Sequence, residues 1–92
     1  MDKNYSLDRL FDAILTLKTK DECSEFFADA CTPKELQAIA QRFTVADMLY
    51  NKRVYSDIIE ETGASTATIS RVSRSINSGY KMAFERLKQS NG

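Results

Sequence analysis

Thr66, Ala67, Ser70, Arg71 and Arg74 lie within nine consecutive positions and share one chemistry, contact with the base edges and phosphates of duplex DNA. Arginine presents a fork of donors that fits the guanine edge, hydroxyls bond bases or phosphates, and an alanine methyl can touch a thymine methyl. Residues this small also suit a helix that must enter a major groove about 12 Å wide. Just upstream, Lys52, Arg53 and Ser56 offer two cations and a hydroxyl for holding the phosphate backbone. Other chemistries lack their residues. The chain has no histidine, no Gly-rich phosphate loop and no nucleophile beside a base, so no enzyme is expected. Cys23 and Cys31 are two thiols without a histidine, too few for a zinc site, and no cofactor is expected. Their spacing of eight on one helix separates them by roughly 12 Å along the axis, too far for a disulfide; core filling beside Phe26, Phe27 and Ala30 is the reading.

The elements that position the DNA-directed residues are two short helices around Gly63. Glycine reaches positive φ at least cost, which suits the end of a helix over Tyr55–Thr62. Ser65 and Thr66 follow, each with an oxygen that can cap the next helix, which should run from Thr66 to Ile76. Ile58, Ile59, Ile69 and Val72 are placed to press the two helices together. This is a helix-turn-helix pattern, and it also occurs in αα-corners of plain helical bundles. Two functions therefore stay open here, a DNA reader and a helical protein-interaction module without DNA binding.

Around that pair, one proline and three glycines in 92 residues leave few breakers, which points to an all-α fold of about six helices. The first, about Ser6 to Leu17, carries Leu7, Leu10, Phe11 and Ile14 on one stripe, with Ser6 as its cap. The second covers about Asp21 to Ala30. Thr32 caps the third, Pro33 opens it and Glu35 stands in its first turn, and it runs to Tyr50. Leu36, Ile39, Ala40 and Phe43 line one side of this helix, and Ala38, Val45 and Leu49 another. Two apolar sides read as the seam of an intertwined dimer, although a central core helix has the same pattern. The last helix, about Ser78 to Lys88, should bury Tyr80, Ala83, Phe84 and Leu87.

A chain of this length reads as a single domain over 1–92: a helical dimerisation part over 1–50, the helix-turn-helix over 54–76, and a C-terminal helix and tail over 77–92. Its small core makes a homodimer attractive. Net charge is zero, yet residues 1–50 hold six basic and nine acidic side chains while residues 51–92 hold seven and four. The half with the helix-turn-helix is the positive one, which favours a phosphate-facing surface there. No apolar run is long enough to span a bilayer and no basic-then-apolar leader is visible, so a cytoplasmic location is expected.

From Cys31 to Ile76 the sequence resembles the Trp repressor superfamily, in particular its YerC/YecD-type Trp repressor-like proteins. The residues that carry the resemblance are Thr32-Pro33-Lys34-Glu35, Arg42, Gly63-Ala64 and Ala67-Thr68-Ile69-Ser70-Arg71, and they cover about half the chain. The resemblance implies an all-α homodimer with interlocked N-terminal helices and two projecting reading heads. It implies a sequence-specific regulator of transcription on double-stranded DNA, a repressor.

It also implies a place for a corepressor. In the Trp repressor the indole lies between two arginines, one on the long middle helix and one on the recognition helix. Arg42 and Arg71 match them, and Thr32 and Thr68 match further lining residues. The chain departs from that pattern at Val72, where the repressor has glycine against the ligand. An isopropyl group occupies the indole's space, is stiff at χ1, and overpacking costs about 1–3 kcal/mol. Ala46 returns some space where the repressor has a bulkier wall. Tryptophan is therefore not expected as the corepressor, and a different small ligand stays open. Ile59 and Asn77 stand where the family carries lysines toward DNA, so affinity weaker than the family's is expected.

Overall fold

The computed structural model describes residues 3–91. Regular structure among them is α1 (Lys3–Leu15), α2 (Lys20–Ala30), α3 (Pro33–Tyr50), α4 (Tyr55–Thr62), α5 (Thr66–Arg74), a π-helical turn (Ile76–Tyr80) and α6 (Lys81–Asn91). The fold is all-α with six α-helices among the described residues, as the breaker-poor composition leads one to expect. None of them is long and apolar enough to cross a membrane.

Side-chain caps set the starts of α2, α3 and α5. The Thr19 hydroxyl accepts the Glu22 N–H at 3.1 Å, and the Glu22 carboxylate accepts the Lys18 N–H at 2.8 Å, so α2 starts at Lys20. Thr32 and Glu35 form a reciprocal pair at the head of α3. The Glu35 N–H donates to the Thr32 hydroxyl at 3.1 Å and the Thr32 N–H donates to the Glu35 carboxylate at 2.8 Å. Two donors that the helix itself leaves unpaired are thereby satisfied. Ser6 does not cap α1, which already begins at Lys3 and ends at Leu15, short of Leu17.

The same cap has a pH signature. Hydrogen bonds from the Thr32 backbone and side chain hold the Glu35 carboxyl below its ordinary value. A lowered folded-state pKa stabilises the fold fully above about 4.3, and that contribution fades as pH falls toward the depressed value. Glu35→Gln should therefore lower the unfolding midpoint near neutral pH, with the difference shrinking as pH falls through the depressed value of the Glu35 carboxyl. Thr32→Ala should cost about 1 kcal/mol. A Glu35→Gln difference that stays constant with pH would show that the charge plays no part in the cap.

At its other end α3 closes with Lys52 at φ 62, a left-handed conformation more usual for glycine. The Lys52 N–H donates to the Leu49 carbonyl and the Arg53 N–H to the Met48 carbonyl, both at 2.9 Å. This bond pattern satisfies the last carbonyls of the helix and turns the chain into α4.

The chain forms two compact units, one up to Leu36 and one from Gln37 onward. In the first, no described side chain of α1 or α2 is fully buried. Phe11 is 54% exposed and Leu15 82%. Cys23 is exposed and Cys31 half-buried in the single chain, both as free thiols, so neither fills its core.

The second unit has a core of Val45, Ala46 and Met48 from α3, Ile58 from α4, Ala64 from the turn, Ile69 and Val72 from α5, and Phe84 from α6. The Phe84 ring lies 5.1 Å from both Phe43 and Tyr50, and Tyr80 stacks at 6.4 Å. Ile59 and Leu87, expected in it, are exposed, and Ala83 is only half-buried. Ile59 is 39% exposed, since its neighbour Ile58 takes the inward position, and Leu87 is 49% exposed.

The helix expected to continue to Ile76 ends at Arg74, and the last α-helix begins at Lys81 rather than Ser78. The Ser75 N–H makes a tight bond to the Val72 carbonyl at 3.0 Å, and its hydroxyl donates to the same carbonyl at 3.1 Å. Asn77 then leaves helical geometry at φ −92, ψ 21, so the chain passes through a wider π turn before α6.

Candidate nucleic-acid interface

The turn between α4 and α5 is built as a hinge with fixed joints. Gly63 caps α4 at φ 71, ψ 8, and its N–H donates to the Ile59 carbonyl at 2.9 Å. A side chain at that φ would be strained although nothing lies within 4 Å of where its Cβ would sit. Ser65 caps α5, its hydroxyl accepting the Thr68 N–H at 3.1 Å and donating to the Thr68 hydroxyl at 3.1 Å. Thr66 is the first residue of α5 and not its cap.

α5 divides cleanly by burial. Ile69 and Val72 are buried, while Thr66, Ala67, Arg71 and Arg74 are exposed and Ser70 is half-buried. At about 100° per residue the last five cover one continuous face of about 140°, opposite the core. No acidic residue occurs between Glu61 and Glu85, so α5, the π turn and the start of α6 carry only the cations Arg71, Arg74 and Lys81. Arg71 and Arg74 make no ion pair among the described residues. The structure thus brings five of the sequence-derived residues onto one exposed, cationic, hydroxyl-bearing surface.

The three upstream residues are placed differently. Lys52 is exposed in the turn after α3, and Ser56 is exposed in the first turn of α4. Arg53 is engaged. Its guanidinium donates to Glu61 at 2.8 Å and lies 3.7 Å from Asp57, and the bonded Glu61 carboxylate holds its proton more tightly still. The i,i+4 step from Arg53 to Asp57 was readable in the sequence; the stronger contact to Glu61, eight positions on, was not. All three groups are solvated, where an ion pair contributes little to stability, so the effect on local charge outweighs the effect on folding.

The residues matched to a ligand pocket also have present occupations. Thr32 and Thr68 use their hydroxyls in the two caps described above. Arg42 and Arg71 are exposed. Val72 is 2% exposed, its side chain in the core with Ile58 and Ile69. Gln41 was missed altogether in the sequence: its side-chain amide donates to the Thr62 carbonyl at 3.0 Å, joining α3 to the end of α4.

The sequence profile of the Trp repressor protein family matches residues 5–91. This chain belongs to the Trp repressor family. An uncharacterized protein, YerC of Bacillus subtilis, is 53% identical over 90 residues, which are 95% of this chain and 86% of that protein. The crystal structure of a TrpR like protein from Eubacterium eligens superposes with a TM-score of 0.89 at 54% identity, covering 94% of this chain and 92% of that one. A crystal structure from Staphylococcus aureus gives 0.87 at 49% identity, over 91% and 87%. The match runs through the whole helical order, so in this Trp repressor family chain α4 and α5 are part of the family fold and not an isolated αα-corner.

Proposed function

We propose that this chain is a sequence-specific, double-stranded-DNA-binding regulator of transcription, a repressor, that acts in the cytoplasm as a homodimer. The observation that carries the reading is the exposed face of α5, with Thr66, Ala67, Ser70, Arg71 and Arg74 opposite a buried Ile69 and Val72. Thr66, Ala67 and Ser70 stand in its N-terminal part, the part of a recognition helix that reaches base edges. Lys52 and Ser56 hold the phosphate backbone, and Arg53 offsets the acidic groups of α4 near it. The second subunit covers the apolar stripe of α1 and the outer side of α3, where Ile39 and Phe43 stay partly exposed in the single chain. Tryptophan is not the corepressor, because the Val72 side chain already fills core space at the position where an indole would need room.

A titration of duplex DNA against salt tests this. Affinity should fall steeply between about 50 and 200 mM salt, with about 0.9 counterions released per phosphate contacted. Adding millimolar L-tryptophan should leave the curve unchanged. Binding without salt dependence, or none, would favour a helical protein-interaction module; tighter binding with tryptophan would show that the family pocket survives Val72.

A further inference from the structure

The apolar contacts between α3 and the helix-turn-helix are made by Val45, Ala46, Met48, Ile58, Ile69 and Val72. Such contacts are strong but have no preferred direction, so a directional bond between α3 and the two short helices adds a constraint that burial alone does not supply. One directional side-chain bond joins the two among the described residues, from the Gln41 amide to the Thr62 carbonyl at 3.0 Å. That carbonyl is one of the last four of α4, which have no partner inside the helix. Thr62 is also the node of the turn. Its hydroxyl donates to the Ile58 carbonyl at 2.6 Å and accepts the Ala64 N–H at 3.1 Å. Ala64 is buried, and Ser65 directly after it caps α5. A single side chain of α3 therefore holds the residue from which the recognition helix is aimed.

We propose that Gln41 is a positioning residue for DNA recognition, a latch that sets the angle of α4 and α5 on α3 through Thr62. The proposal rests on the DNA-binding reading above and assigns it a residue that touches no DNA. The latch lies along an open cleft of about 390 Å³ that Gln37, Ala40, Thr44 and Glu61 also line. Water can therefore reach the Thr62 carbonyl when the amide is removed and can replace the bond itself. Water cannot replace the fixed distance to α3. Loss of the latch thus changes orientation far more than stability.

Three full-length variants separate these effects. Gln41→Ala removes the amide, Gln41→Glu keeps its shape but has no N–H to donate, and Gln37→Ala alters the same cleft without touching the latch. Exchange of the hydrogen-bonded Gly63, Ala64 and Thr68 amides, measured on the free protein, should quicken about fivefold in both Gln41 variants, the size expected for one hydrogen bond. Affinity for the duplex that the unaltered chain binds best should fall by a similar factor with an unchanged salt slope, because no phosphate contact is lost. Gln37→Ala should match the unaltered protein in both measurements. Unchanged exchange in the Gln41 variants overturns the latch, and quickened exchange with full DNA affinity overturns its role in recognition. A fall in affinity that tracks only a lower unfolding midpoint overturns it as well. An unaltered chain with no duplex affinity sinks the proposed function and not the latch, which the exchange of the free protein decides by itself.

Discussion

Light scattering at micromolar concentration should return twice the mass of the 92-residue chain, and Phe11→Asp should abolish that species. The expectation follows from what α1 leaves uncovered. Leu7, Leu10, Phe11 and Leu15 are each between 39% and 82% exposed in the single chain, and Ile39 and Phe43 of α3 add to the uncovered apolar area. Full burial of one such side chain is worth about 1.5–3 kcal/mol. Covering even half of this surface in a second subunit thus supplies several kcal/mol. A two-fold interface repeats every substitution, so a carboxylate at Phe11 enters the seam twice, where an unpaired charge is costly to desolvate. The unfolding midpoint of the unaltered protein should also rise with protein concentration. A monomer whose unfolding ignores concentration would refute the dimer and leave the exposed stripe of α1 for another partner.

The second large effect concerns the exposed face of α5. Arg74→Ala combined with Ser70→Ala should remove most of the preference for the specific duplex. Arg74 is exposed and without an ion-pair partner among the described residues, which leaves its guanidinium available to a base or a phosphate. If it reads a base, its loss costs about 1–3 kcal/mol and relaxes choice at one position of each half-site. If it holds a phosphate, binding weakens alike on every sequence and the salt slope falls by about 1. The bound sites should show two-fold symmetry, with half-sites about 34 Å or a multiple apart. Undiminished affinity in the double variant would move the assignment to a protein-interaction module.

Much of the local structure was legible in the residues because its causes are local. Gly63 ends α4 because no other residue reaches its φ as cheaply, and Thr32 with Glu35 caps α3 because the two stand three positions apart. Ser65 starts α5 for the same kind of reason. The alternation of Ile69 and Val72 with Thr66, Ala67, Ser70 and Arg74 marked the two faces of α5, since helical periodicity alone separates them.

Where a residue's fate depended on something distant in sequence, the pattern did not suffice. Leu87 lies on an apolar stripe yet stays 49% exposed, and Cys23 is exposed, because a stripe says only that a face prefers cover and not which surface supplies it. The end of α5 at Arg74 depends on the Ser75 hydroxyl turning back to the Val72 carbonyl, a competition between two local bonds that propensity does not decide. Arg53 offered a free cation in the sequence and is held by Glu61 in the fold, because α4 brings a residue eight positions away within 2.8 Å. The Gln41 bond joins residues 21 positions apart and carries no sequence signal at all. By itself, then, the sequence determined the order of the helices, the caps at Thr32 and Ser65 and the chemistry of the α5 face, all set within a turn or two of chain. The tertiary structure alone decided which cations are free, which apolar faces lack cover, and how α4 and α5 are tied to α3, because each depends on which distant groups packing brings together.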